Sequence, residues 1–116
     1  MPPYPLVEFV LSVGAWDFAG EALPDTGCEV GIVIPKGVGI EIDADPGSRL
    51  VKFADGRERY APSWPAVVEL EGRRFSVEAV AVGEGFLMGR ELLDQLEICF
   101  EFGRNLRLRF QNEEQC

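Results

Sequence analysis

The sequence predicts a mainly β domain with one short helix in its C-terminal half. Three observations carry that expectation. Apolar residues recur at every second position over Leu6 to Val13 and again over Phe75 to Val82, the period of a half-buried strand. Strand-like runs are separated by turn signals, among them Gly14-Ala15, Asp55-Gly56 and Glu71-Gly72. Helical patterning is confined to about Arg90 to Leu96, a stretch too short to stand alone and therefore held by burying Leu92, Leu93 and Leu96.

In chain order, residues 1 to 5 contain three prolines and read as an extended arm. Val7, Phe9, Leu11 and Val13 form one face of the first strand, Gly14-Ala15 turns it, and Trp16 to Leu23 returns with a bulge or close backbone contact expected at Gly20. Gly31 to Ile34 is a short β-branched run. The Pro, Gly and Asp punctuation from Pro35 to Gly47 reads as a long loop carrying one strand at Ile40 to Ile42. Ser48 to Phe53 and Glu58 to Ala61 flank Ala54-Asp55-Gly56-Arg57, and their polar sides suggest a projecting hairpin. Pro62, Trp64 and Pro65 are expected to limit ladder pairing at its base. Val67 to Leu70 and Phe75 to Val82 make a further hairpin, and Gly83-Glu84-Gly85 ends it. After the helix, Glu97 to Phe102 and Leu106 to Phe110 read as strands around Gly103-Arg104-Asn105, with a polar tail at 111–116.

At 116 residues the expectation is a single domain over 1–116, with no interdomain linker, too short for two separate lobes. A formal net charge of −9, from 11 basic and 20 acidic residues, disfavours nucleic acid and anionic membranes as partners. Arg104, Arg107 and Arg109 read as the solvated face of a strand. With no histidine, Ser-His-Asp and Cys-His catalysis are removed, together with most zinc sites, so any catalysis rests on carboxylates. Cys28, Cys99 and Cys116 are odd in number and widely spaced, which points to reduced thiols in a cytoplasmic protein. Residues 1 to 13 are apolar-rich without a basic leader region, and no run is long enough to span a membrane, so a soluble chain is expected.

The chemistry centres on Leu23-Pro24-Asp25-Thr26-Gly27. Asp-Thr-Gly supplies a carboxylate, a neighbouring hydroxyl and a residue without Cβ that lets backbone N–H groups approach the carboxylate. The order around it repeats. From Val7 the chain reads strand, turn, strand, Asp-Thr-Gly and a short apolar run; from Val67 it reads strand, turn, strand, Leu87-Met88-Gly89 and a helix. The halves look like degenerate copies. Leu-Pro-Asp-Thr-Gly also fits a sortase anchoring signal, but the hydrophobic span and basic tail such a signal requires do not follow it.

On these motifs, and on the Gly-Arg-Glu-Leu-Leu-Asp-Gln-Leu run at 89 to 96, the chain resembles the retropepsin-like aspartic proteases over roughly residues 6 to 102. The resemblance implies a closed acid-protease-type β-barrel and a homodimer in which one Asp25 from each chain forms a catalytic dyad acting on an extended peptide, with no metal or other cofactor. It implies that Thr26 and Gly27 support the dyad, that Glu29 pairs with Arg90 beneath it, and that Ala54, Asp55 and Gly56 form the tip of a flap closing over the peptide. The chain departs from the family pattern at Pro24, which lacks an N–H and stands where a β-branched or large aliphatic residue is usual, and at Cys28, which stands where Ala or Ser is usual. An inactive relative that binds peptides or assembles through the same fold, and a monomeric β-protein that binds a small ligand, are the other readings.

Overall fold

The computed structural model describes residues 6–52, 55–101 and 105–110. The arm at 1–5, Ala54 at the hairpin tip, Gly103-Arg104 and the tail at 111–116 lie outside the described residues. The strands are β1 (Val7–Val13), β2 (Trp16–Pro24), β3 (Ile32–Ile34), β4 (Gly47–Lys52), β5 (Glu58–Leu70), β6 (Arg73–Ala81), β7 (Leu87–Met88), β8 (Leu96–Glu101) and β9 (Asn105–Phe110). Helix α1 spans Lys36–Gly39 and α2 spans Arg90–Leu93.

Six strands close into a barrel in the order β1-β2-β7-β3-β6-β5, and the β1–β5 pairing completes the ring. Strand β4 hangs from β5 outside it. The pairing has an internal two-fold. The β1–β2 hairpin matches the β5–β6 hairpin, the parallel pair β2–β7 matches the parallel pair β6–β3, and β1–β5 and β3–β7 are each antiparallel partners across the axis. A short helix follows β3 in the first half and β7 in the second. The repeat read in the sequence is a repeat of strand pairing, with one correction: Leu87-Met88 of β7 is the counterpart of β3, not of the Asp-Thr-Gly turn.

Alternation places the core. Val7, Phe9, Leu11 and Val13 of β1, Ala66, Val68 and Leu70 of β5, Val77, Ala79 and Ala81 of β6, and Ile32 and Ile34 of β3 all face one interior cluster. Leu92 and Leu93 of α2 join it, and Leu96 packs against its edge. The opposite face of the β3 and β6 wall carries a second, smaller cluster of Val30, Val33, Ala61, Val80 and Val82. The β5–β6 turn has Glu71 at φ 50° and Gly72 at φ 82°, the two left-handed residues of a type I′ hairpin.

Several expectations are corrected. Ile40 to Ile42 is not a strand; the segment after Pro35 forms α1, so there are two short helices among the described residues. Helix α2 ends at Leu93, because Asp94 and Gln95 turn the chain so that Leu96 opens β8. Pro62 and Pro65 do not interrupt β5. On one edge β5 pairs with β4 over residues 58–63 and then with β1 over 67–69, and Pro65 sits in the gap between the two partners. Gly20 lies in unbroken register opposite Phe9, so there is no bulge. A Cβ there would come within 2.9 Å of the Phe18 ring and 3.2 Å of the Phe9 ring.

Strands β8 and β9 form a separate antiparallel ribbon, which pairs with no barrel strand among the described residues. No described helix is long and apolar enough to cross a membrane.

Leu92 is fully buried where α2 closes the barrel end. Replacing Leu92 with Ala should cost about 2–5 kcal/mol, read from urea unfolding with an unchanged denaturant slope. A loss below about 1 kcal/mol would show that α2 is not part of the cooperative core.

Candidate active site

The segment joining β2 to β3, residues 25–31, is held in place by the second half of the chain. Strand β7 lies between β2 and β3, parallel to the first and antiparallel to the second. Three backbone bonds fasten the segment to β7 and the start of α2: Asp25 N–H donates to the Met88 carbonyl at 2.8 Å, Gly89 N–H to the Gly31 carbonyl at 3.0 Å, and Arg90 N–H to the Cys28 carbonyl at 2.7 Å. The approach to β7 is fixed by aromatic packing, with the Phe86 ring centroid 5.4 Å from Phe9 and 5.2 Å from Phe18.

Two glycines make this approach possible. A Cβ on Gly89 would collide with the Val30 carbonyl oxygen and come within 2.9 Å of the Cys28 oxygen, so the requirement is space; its φ of −98° is ordinary. A Cβ on Gly31 would meet Val77 and lie 2.7 Å from Glu91 Oε1. That carboxylate fills the space and accepts the Glu78 N–H at 2.8 Å, tying α2 to β6. Glu91 is a supporting residue the sequence reading did not single out. Its signal is Gly31, whose missing side chain opens the gap.

Within the segment, Asp25 Oδ1 accepts the Gly27 N–H at 2.9 Å, and Cys28 N–H donates to the Asp25 carbonyl at 3.1 Å. The result is a tight turn with its own carboxylate folded back on it. Asp25 is half-buried, while Thr26 and Gly27 are exposed at the turn tip. Pro24 fits without losing a ladder bond on the β7 side: Leu23 N–H donates to the Phe86 carbonyl and Asp25 N–H to the Met88 carbonyl on either side of it, so its missing N–H faces the other edge.

Arg90 Nη2 lies 3.4 Å from Glu29 Oε1, the ion pair expected from the sequence. Both side chains are at least half exposed, so the pair contributes under about 1 kcal/mol. Cys28 packs against the second apolar cluster. Burial pushes its thiol pKa up, and the Asp25 and Glu29 carboxylates add to the rise, against lowering by a backbone hydrogen bond at Val30 and by Arg49.

The β4–β5 hairpin runs outward from the same wall. Val51 of β4 and Ala61 of β5 share the second cluster with Cys28, Val33, Val80 and Val82, so the body of the hairpin and the Asp25 turn flank one apolar surface. At its tip Asp55 accepts the Arg57 N–H at 3.0 Å and pairs with Arg57 Nε at 2.6 Å, and Gly56 has φ 87°. Arg49 of β4 pairs with Glu78 of β6 and braces the hairpin against the barrel.

The two-fold pairing also locates what this chain lacks. The bond from Asp25 N–H to Met88 has its counterpart in the bond from Val82 N–H to Ile34 at 3.0 Å. At the position equivalent to Asp25 the second half therefore presents Val82. The sequence matches no protein-family model and no curated protein.

Gly89→Ala should destabilise the fold by at least about 3 kcal/mol, since both contacts are backbone atoms and neither can rotate away, whereas Glu29→Gln should change it by less than about 1 kcal/mol. Thermal or urea unfolding of the two variants checks the contrast, and equal effects would contradict it. The raised Cys28 pKa means that the folded state holds the thiol proton more tightly than the unfolded chain. The stabilisation is therefore complete below the ordinary thiol range and is lost as pH rises through it. Unfolding free energy should fall with rising alkaline pH more steeply in the native sequence than in Cys28→Ala. Parallel pH profiles would contradict the assignment.

Proposed function

We propose that the protein is a retropepsin-like homodimeric aspartic endopeptidase of the cytoplasm, with Asp25 as its single catalytic residue per chain. The observation that carries this reading is the placement of the Asp25 turn. It is laced by backbone bonds to Met88, Gly89 and Arg90 and sits beside an apolar surface that also carries Val51 and Ala61 of the β4–β5 hairpin.

One carboxylate is insufficient, and the internal counterpart of Asp25 is Val82. A second chain related by a two-fold axis supplies the missing group. Two carboxyls at close range do not both ionise, so they share one proton and titrate as a pair. The ionised member takes a proton from a bound water as its oxygen attacks the scissile carbonyl carbon. The protonated member donates to the carbonyl oxygen and neutralises charge in the tetrahedral intermediate. Collapse of that intermediate breaks the C–N bond and returns a proton to the leaving amine.

In this reading Thr26 and Gly27 meet their counterparts across the axis, which their exposure at the turn tip supports. Glu29 and Arg90 brace the turn from one side. The substrate is an extended peptide held by strand-like backbone bonds between the hairpin tip, at Ala54, Asp55 and Gly56, and the dyad, with apolar side chains on the surface of the second cluster. The β8–β9 ribbon supports dimerisation, because a two-stranded ribbon is marginal alone and its partner's ribbon would extend it into a continuous sheet.

Incubation with a mixed peptide library at mildly acidic pH, followed by mass spectrometry, tests the reading. The native sequence should cleave, Asp25→Asn should lose at least about three orders of magnitude in rate, and activity per chain should fall on dilution. Silence from both proteins, with dimerisation retained, would replace the enzyme by a peptide-binding module.

A further inference from the structure

A groove of about 500 Å³ opens on the α1 side of the β4–β5 hairpin. That is the size of a small-molecule site. Its lining comes from three separated stretches: Lys36 to Pro46, Arg59 to Trp64 of β5, and Ala81 with Val82 at the end of β6. None of the lining belongs to the 25–31 turn or to β7. The segment Ile40-Glu41-Ile42-Asp43-Ala44-Asp45-Pro46 alternates, and it is the apolar members that line the groove while the three acids do not. The Trp64 indole N–H donates to the Ala44 carbonyl at 3.0 Å, pinning that segment as one wall.

Two large apolar side chains on this lining remain in water: Ile40 is 85% exposed and Tyr60 is 70% exposed. An apolar side chain that exposed, on a wall already organised by a buried tryptophan, gains by being covered. The charged groups on the lining are both cations, Lys36 and Arg59, in a chain of net charge −9. Lys36 makes no ion pair among the described residues. Glu41, Asp43 and Asp45 are exposed on the same segment and not in the groove, so they repel an anion only through screened solvent, whereas Lys36 meets it at the wall.

We propose that this groove is a binding site for a small amphipathic carboxylate, its apolar body against Ile40, Tyr60 and Trp64 and its carboxylate on the Lys36 ammonium. The proposal does not rest on the reading of Asp25, although Ala61 and Val82 of the lining also belong to the second apolar cluster. A ligand there bridges α1 to the returning arm of the hairpin, so occupancy restrains the hairpin base.

The test is an NMR titration of the full chain with decanoate, decanol and decylammonium, reading the Trp64 indole N–H. Decanoate should give a saturable shift and bind at least about tenfold more tightly than decylammonium, which is about 1.4 kcal/mol. Lys36→Met should weaken decanoate at least about fivefold and leave decanol unchanged. Ile40→Glu, at an exposed position that the fold does not need, should weaken both. No saturable shift, equal or tighter binding of decylammonium, or decanoate binding indifferent to both substitutions would overturn the proposal.

Discussion

The fit of β7 between the arms of the β2-to-β3 connection is the constraint on which the rest of the structure depends. Because β7 pairs with both β2 and β3, it closes the barrel and fastens the Asp25 turn in the same act. The fit leaves no room for a side chain at Gly89, and it uses the Gly31 gap to admit the Glu91 carboxylate. A chain that lost this contact would lose the turn geometry together with the core seal made by Leu92 and Leu93. Fold stability and the position of Asp25 are thus one property.

Around that constraint the interactions divide by strength. The interior cluster buries whole aliphatic side chains from strands β1, β3, β5 and β6, and burial of that kind supplies most of the driving force of a domain this size. The Glu29–Arg90 pair is solvent-screened and contributes little to stability. Pro24 is accommodated because ladder donors alternate along a strand edge and the proline occupies the silent position. The departure at Pro24 therefore leaves the backbone around Asp25 intact.

Much of this architecture was legible in the sequence. Period-two alternation over Val7 to Val13 and Phe75 to Val82 reflects real burial, and Glu71-Gly72 is a genuine two-residue hairpin turn. The errors share a cause, since local patterns were given the commonest explanation. The alternation that begins at Ile40, read as a strand over Ile40 to Ile42, arises because alternate residues face a groove after a short helix. Prolines 62 and 65, read as interruptions, lie in a continuous strand, Pro62 within the β4 ladder and Pro65 where the partner changes from β4 to β1. The helix at 90–96 is shorter because Leu96 is claimed by β8. Of the site, Asp25 and the Glu29–Arg90 pair were reached through motif resemblance. Glu91 and the groove were not seen, because each depends on residues brought together from distant parts of the chain.

The central claim is that two Asp25 carboxylates from different chains act as one group. Mixing native chains with Asp25→Asn chains, unfolding and refolding them together, and measuring peptide cleavage against the native fraction tests it most directly. A shared dyad predicts activity that follows the square of the native fraction, because a mixed dimer has only one carboxylate. Activity proportional to the native fraction itself would show each chain working alone, and would contradict the account.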